Sequence, residues 1–323
     1  MNDTMTPGQI ASLGTRILDE VNRAVVGMRE PLTIALATIL AGGHILFEDV
    51  PGVGKTLAAR SLAQTLGLQF TRLQCTPDLL PSDITGSMVF DPRSREFDFR
   101  PGPVFTGLLL ADEINRTGPK TQSALLEAMA EHHVSVEGVT HDLPTPFHLL
   151  ATSNPIEYEG TYPLPEAQLD RFMVRLAAGY PSREQSTDIL LRRVARRQED
   201  THVEQIVDAA QVVSMQAGVE AIDVDQDVAA YCVDLAEATR HHPNVDVGVS
   251  PRGAQSLLLV ARALAALEGR SFVIPEDVKR AGVPVLAHRL VLTATAWAEG
   301  VHPEDIIDGV LGQVPGPATV GRA

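Results

Sequence analysis

His44-Ile45-Leu46-Phe47-Glu48-Asp49-Val50-Pro51-Gly52-Val53-Gly54-Lys55-Thr56, running on into Leu57 to Leu66, is the stretch that decides the fold. Its first five residues make a short apolar run suited to a buried strand, and Leu57 to Leu66 carries a helical pattern. Between them, Gly52 and Gly54 let backbone N–H groups turn toward an anion with no Cβ in the way. Lys55 stands where an ammonium would neutralise β- and γ-phosphate charge, and the Thr56 hydroxyl where Mg²⁺ would be ligated. The following helix presents its positive end to the same anion. Strand, glycine loop and helix, in that order, is the context a phosphate loop needs. The strict pattern opens with Gly, and here that place is Asp49; an ordinary tight turn ending in Lys-Thr is the alternative.

A second element weighs against that alternative. Leu108-Leu109-Leu110-Ala111-Asp112-Glu113 is an apolar strand delivering two carboxylates at its C-terminal end, where ligands of open α/β sheets sit. Asp112 is expected to hold Mg²⁺, and Glu113 to polarise the water that attacks a γ-phosphate. Phe147 to Thr152 reads as a third buried strand, ending at Ser153-Asn154-Pro155, and Pro119 to Glu131 as a helix between the two. Strands alternating with helices imply a mostly parallel sheet covered on both faces. Upstream, Ile10, Leu13, Ile17, Leu18 and Val21 recur at helical spacing, and Leu32 to Ala41 is a second helix stopped by Gly42-Gly43.

Past Tyr180-Pro181 the texture becomes helical. Ser182 and Gln185 form a capping box, and helices are expected over Thr187 to Arg197, Val203 to Ala217, Asp227 to Thr239, Pro251 to Leu267 and Pro275 to Arg289. The expected organisation is an α/β nucleotide-binding domain over 1–180, a smaller all-α domain over 181–312, and a disordered tail over 313–323.

The chain has 323 residues, 44% hydrophobic and 21% charged, which is the balance of a soluble globular protein. Lys and Arg number 26 against 41 Asp and Glu, a net charge of −15, which opposes a surface built to grip nucleic acid. Cys75 and Cys232 are far apart, with no CxxC pair, so neither a disulfide scaffold nor structural zinc is expected. The doublets His132-His133 and His241-His242 read as solvated. Met1 to Gly8 lacks the apolar core of a secretory signal, and Pro31 to Phe47 falls short of the ~20 residues of a membrane helix. A cytoplasmic protein without membrane insertion is the expectation.

Taken together, EDVPGVGKT, TPDLLPSDITG, GPVF, ADEINR, KTQSALLEAM, ATSNPIEYEGTYPLPEAQLDRF and SPRGAQSLLLVARALA resemble the MoxR family of AAA+ ATPases over residues 20 to 290. In that family Asp49 is ordinary. The resemblance implies an AAA+ core with β-hairpin insertions and a helical lid, a loop of Pro51, Gly52, Val53, Gly54, Lys55, Thr56 and Leu57 for ATP, and Mg²⁺ on Thr56 and Asp112. Asn154 resembles the residue that holds the attacking water or reads the γ-phosphate; an Asn-Pro turn is the plainer reading. Arg171 resembles the arginine finger that reaches a neighbour's nucleotide, against an ion pair with Asp170, and Arg116 is its rival. Arg252, one residue after Pro251 in a helix capped by Ser250, looks like the second sensor, brought by the lid against the γ-phosphate. Val26-Gly27 resembles the segment that cups adenine.

Two hairpins are expected: Ile84 to Val104, rich in Phe (Phe90, Phe97 and Phe99, with Phe105 adjoining), and Val134 to Thr140, which alternates around Glu137-Gly138. The Phe residues read as the first hairpin's own apolar face, and its tip as a contact for a substrate or partner. The resemblance further implies a homo-oligomeric ring, a hexamer, acting as a chaperone-like remodeller for a partner protein, with a von Willebrand factor A domain protein as the expected partner. A nucleotide-gated scaffold and a nucleic-acid motor are the competing readings; Val134 to Thr140, without Lys or Arg, opposes the second.

Overall fold

The computed structural model describes residues 4–154, 160–198 and 201–317. Pro155 and the tail beyond 317, both part of the expectations above, lie outside the described residues. The N-terminal helix α1 (Pro7–Ala24) is capped by Thr6 in a reciprocal box with Gln9, and α2 (Arg29–Leu40) follows. Next come β1 (Ile45–Glu48), the loop, α3 (Lys55–Thr65), β2 (Phe70–Gln74) and α4 (Pro81–Thr85). The first hairpin is β3 (Gly86–Asp91) with β4 (Glu96–Pro101), leading to β5 (Leu108–Asp112) and α5 (Pro119–Glu131). The second is β6 (His133–Val136) with β7 (Val139–Asp142), whose turn at Glu137 and Gly138 takes φ +50° and +82°. Then β8 (His148–Ser153), α6 (Glu166–Leu169) and β9 (Val174–Leu176) complete the α/β part.

The remainder is helical: α7 (Arg183–Arg196), α8 (Ala209–Glu220), α9 (Gln226–Arg240), then the short β10 (Val245–Val247), α10 (Pro251–Leu267) and α11 (Pro275–Leu286). A turn of 3₁₀ helix, β11 (Val291–Leu292), α12 (Ala294–Ala298) and α13 (Pro303–Gln313) close the fold.

The main sheet has five parallel strands in the order β2-β5-β8-β1-β9. Along β5, Leu108 and Leu110 enter one apolar cluster while Leu109 and Ala111 enter the other, so both faces are covered. One face packs on α5 and the hairpin segments. The other shares a single core with α1, α2, α3 and the helices α8 to α11, so the first two helices bury against the helical part as well as against the sheet.

The elements α4, α6, α12, α13, β10 and β11 are absent from the sequence reading, and two strands of the main sheet and one helix start differ from it. β2 and β9 are absent from it, because Phe70–Gln74 is a half-exposed edge strand with polar alternation and β9 spans three residues. The second helix of the C-terminal part begins at Ala209, not Val203: Asp208 and Gln211 form a capping box there, and Val203 and Val207 are buried in extended chain. The first hairpin also divides its Phe residues. Phe90 and Phe97 face each other 5.3 Å apart, 49% and 64% exposed, whereas Phe99 stacks on His141 of the second hairpin at 3.8 Å.

Candidate nucleotide site

Sheet register sets the site. Leu73, Ala111, Ala151 and Leu46 lie in one row across four strands, so the next residues on each strand, Gln74, Asp112, Thr152 and Phe47, form the row below the loop. Strands sit ~4.8 Å apart, so Asp112 is two strand spacings, about 10 Å, from β1. All these groups emerge at the C-terminal edge.

The loop turns on Gly52 (φ +84°) and Gly54 (φ +94°), a region that a side chain resists even where space is open. Gly54 is the N-cap of α3, with no side chain capping the exposed N–H groups and no acid in the first turn. A bare helix start of this kind favours an anion. Lys55 Nζ donates to the Asp49 carbonyl at 2.6 Å. Burial pushes its pKa down, against the opposing pull of the Asp49, Asp112, Glu113 and Glu48 carboxylates, which places loop and β5 acids in one electrostatic neighbourhood.

Asp112 is held from two sides. Thr152 Oγ1 donates to Oδ1 at 2.6 Å, and Arg72 on β2 donates to Oδ2 through Nη2 (2.6 Å) and Nε (3.0 Å). Glu113 adopts φ +59°, uncommon for a residue with a side chain. Its N–H donates to the same Thr152 oxygen at 2.8 Å, and its Oε2 accepts from Gln74 Nε2 at 2.9 Å and pairs with Arg116 at 3.2 Å. The sequence reading gives Arg72, Gln74 and Thr152 no site role, Thr152 entering it only as the end of a strand; recognising β2 as a strand beside β5 would have exposed the first two. Asn154 is buried just past β8, and Ser153 next to it accepts from the Asp49 N–H at 3.2 Å, so the two elements meet beside the loop.

Thr56 and Asp112 offer hard oxygen donors of the kind Mg²⁺ takes, with its remaining positions left to water and phosphate. Among the described residues no group of three or more His, Cys, Asp or Glu could hold a metal unaided, a donor set that suits a cation arriving with phosphate.

Arg171 and Arg252 lie at the other edge of the sheet. Arg171 precedes β9, and its Nη1 donates to the Leu126 carbonyl at 2.8 Å. Asp170 pairs not with Arg171 but with Arg289, at 2.8 Å, and accepts from Ser250 at 3.3 Å. The charge of Arg252 acts on His44 and Arg289. His44 immediately precedes the N-terminal end of β1, about 16 Å of extended chain from Asp49 at ~3.3 Å per residue. Within one chain, therefore, Arg252 does not meet the phosphate loop, contrary to the expectation that the lid folds it onto the γ-phosphate. It stands with Arg171 instead. Arg116, the rival finger, remains beside Glu113 of its own chain. Val26 and Gly27 lie at the start of α7, where the Gln185 amide covers Gly27 (φ +82°) so closely that a Cβ would fall 2.8 Å from it.

A cavity of about 550 Å³ lies beside the loop rather than over it, between β9 and α2, α11 and α13. Arg175–Glu304 (2.6 Å) and Arg280–Glu30 (2.7 Å) ion pairs line it. No described helix is long and apolar enough to cross a membrane.

The model of the ATPase family associated with various cellular activities (AAA) matches residues 44–174, and that of an AAA lid domain residues 237–310. Chaperone MoxR1 of Mycobacterium tuberculosis is 42% identical over 94% of this chain and 82% of its own length. The chain belongs to the MoxR family of AAA+ ATPases. Protein MoxR of Paracoccus denitrificans is 32% identical, covering 92% of this chain and 94% of its own. YeaC, an uncharacterized protein of Bacillus subtilis, is 45% identical over 94% of both. A crystal structure assigned as an ATPase, from Cytophaga hutchinsonii, superposes with a TM-score of 0.89 at 38% identity over 96% of each chain. The α/β core and helical lid of this MoxR-family chain are thus those of an AAA+ ATPase.

Proposed function

We propose that this MoxR-family chain hydrolyses ATP in a homo-oligomeric ring, a hexamer, whose sites are each shared by two neighbours. One subunit gives the loop Pro51 to Leu57, Asp112, Glu113 and Asn154; the next gives Arg171, with Arg252 beside it. The single observation that carries this reading is that both arginines sit at the sheet edge opposite their own loop, so a phosphate they serve belongs to another subunit. The loop N–H groups and Lys55 bind the phosphates, Glu113 takes the proton of the attacking water, and Asn154 orients that water. Thr56 and Asp112 would hold Mg²⁺, which would supply neutralisation of phosphate charge. Arg171 stabilises charge developing on the transferred group, an effect worth ~10³–10⁵ in rate in comparable enzymes. Val26-Gly27, next to Gln185, lines the adenine end.

Domains divide near residue 180, with the lid over 181–312. The relative named as a chaperone supports a remodelling role on a partner protein; the cytoplasm is the proposed location, and a von Willebrand factor A domain protein the proposed partner class. The acidic chain speaks against nucleic acid as the client.

Complementation tests the shared site. Arg171→Ala and Glu113→Gln, each inactive alone, should regain hydrolysis when mixed one to one, because roughly a quarter of randomly formed head-to-tail interfaces then pair an intact Glu113 with an intact Arg171. A mixture as silent as its parts, under conditions where the two chains co-assemble, would refute the shared site.

A further inference from the structure

Asp49 breaks the strict phosphate-loop pattern, and its side chain is fully used. It is 7% exposed, at the point where β1 becomes the loop. Oδ2 accepts from the N–H groups of Ala178 (2.6 Å) and Gly179 (2.9 Å), just past the end of β9 on the way to α7. Oδ1 accepts from the Val50 N–H at 2.8 Å. The backbone of the same residue is engaged as well: its carbonyl accepts from Lys55 Nζ at 2.6 Å, and its N–H donates to Ser153 beside Asn154. One buried residue therefore touches the loop lysine, the end of the β8 strand and the segment leading into α7.

That segment leads to a helix unlike the others around it. α7 has fourteen residues and no buried side chain, and Leu190, Leu191 and Val194 are 63–72% exposed. Gln185, in its first turn, covers Gly27. The helices α8 to α11, by contrast, are locked into the core shared with the sheet. Polar contacts hold α7, with Arg192 Nη1 donating to the Asn22 and Arg23 carbonyls at 3.0 Å, so a displacement that starts at the loop has no apolar core to disturb along 183–196 and a packed one elsewhere.

We propose that Asp49 is a positioning residue that couples phosphate occupancy of the loop to α7. An anion competing for Lys55 Nζ releases the Asp49 carbonyl, and the carboxylate, still bound to the Ala178 and Gly179 amides, carries the shift to the linker. Glycine at this place, the residue of the strict pattern, has the backbone contacts but no grip on the linker. Coupling of this kind rests on the reading of the loop as an ATP site; the grip itself does not.

Amide hydrogen exchange and isothermal calorimetry on the full chain separate the two. Without nucleotide, Asp49→Gly should speed exchange at Ala178 and Gly179 about ten- to hundredfold, as expected when two hydrogen bonds to a charged acceptor are lost, with the far-UV spectrum unchanged. Asp49→Asn, which keeps one acceptor oxygen, should fall between. With ATP and Mg²⁺, the wild-type chain should change its exchange over 178–196 on binding. Asp49→Gly should bind ATP within a few-fold of wild type yet lose that response, and lose kcat rather than KM. Unchanged exchange at Ala178 and Gly179 in Asp49→Gly would overturn the grip, and a retained ATP response over 178–196 would overturn the coupling. A wild-type chain that binds no ATP would instead overturn the reading of the site, with the nucleotide-free exchange result standing on its own.

Discussion

Replacing Thr152 by Val tests how the two β5 carboxylates are held. Thr152 is 1% exposed, and Val has the same shape, so no cavity opens and strand preference is kept. What is lost is one oxygen with two partners: the bond it donates to Asp112 Oδ1 at 2.6 Å and the bond it accepts from the Glu113 N–H at 2.8 Å. A hydrogen bond to a charged acceptor contributes ~1.5–3 kcal/mol and a neutral one ~0.5–1.5 kcal/mol, so the change should cost about 2–4 kcal/mol. Asp112 keeps Arg72 on its other oxygen, which holds the loss within that range. Glu113, at φ +59°, loses the bond that holds its backbone in the left-handed region, which costs ~1–2 kcal/mol to occupy. The melting temperature should therefore fall by about 3–6 °C, hydrolysis should drop with it, and Thr152→Ser should restore most of both. A Thr152→Val variant melting within about 1 °C of wild type would mean that neither bond matters and that the site is held by the sheet alone.

Lys55→Ala should abolish ATP binding by calorimetry, since it removes the one loop cation, and affinity retained within a few-fold would refute the site. Arg171→Ala should keep ATP affinity and lose turnover; normal hydrolysis by that variant would move the finger elsewhere. Acid should destabilise the fold. His148, buried between the Gly43 carbonyl and Gln216, is pushed down to about 4 by burial, and burial lowers His44 and His288 as well. These rings stay neutral in the fold but take protons near 6.5 once unfolded, so the stability they allow at pH 7 is lost as pH falls from about 6.5 toward 4. Urea midpoints should drop across that interval, His148→Gln should flatten the slope by about one proton, and a midpoint constant from pH 7 to 5 would sink the assignment.

Much of the site was legible because its chemistry is local in sequence. Gly52, Gly54 and Lys55 form one turn, and Asp112-Glu113 ends a strand of unbroken Leu and Ala, so period and punctuation alone place them. Arg72, Gln74 and Thr152 were not legible, since each matters only through a strand neighbour some forty residues away, and register is not written in any one segment. Asp49 was visible as an irregularity, but its partners, the Ala178 and Gly179 amides, carry no side-chain signal at all. Arg252 was read correctly as a first-turn residue of a helix capped by Ser250; that it stands near His44 and Asp170 depends on how α1 and α2 seat the helical part on one face of the sheet, which no single segment encodes.

The stacking of Phe99 on His141 ties together two hairpins that the chain builds on either side of β5. The second runs through Leu143 and a short turn into β8, whose far end bears Thr152 and Asn154. The first runs four residue steps from Gly86, about 13 Å of strand, to the exposed Phe90–Phe97 pair. The pair of hairpins is in effect a stiff arm with its shoulder on the strand beside the site and an oily fingertip in solvent. Any rotation at the base of such an arm would displace the Phe90–Phe97 pair farther than the base itself, in proportion to the length between them.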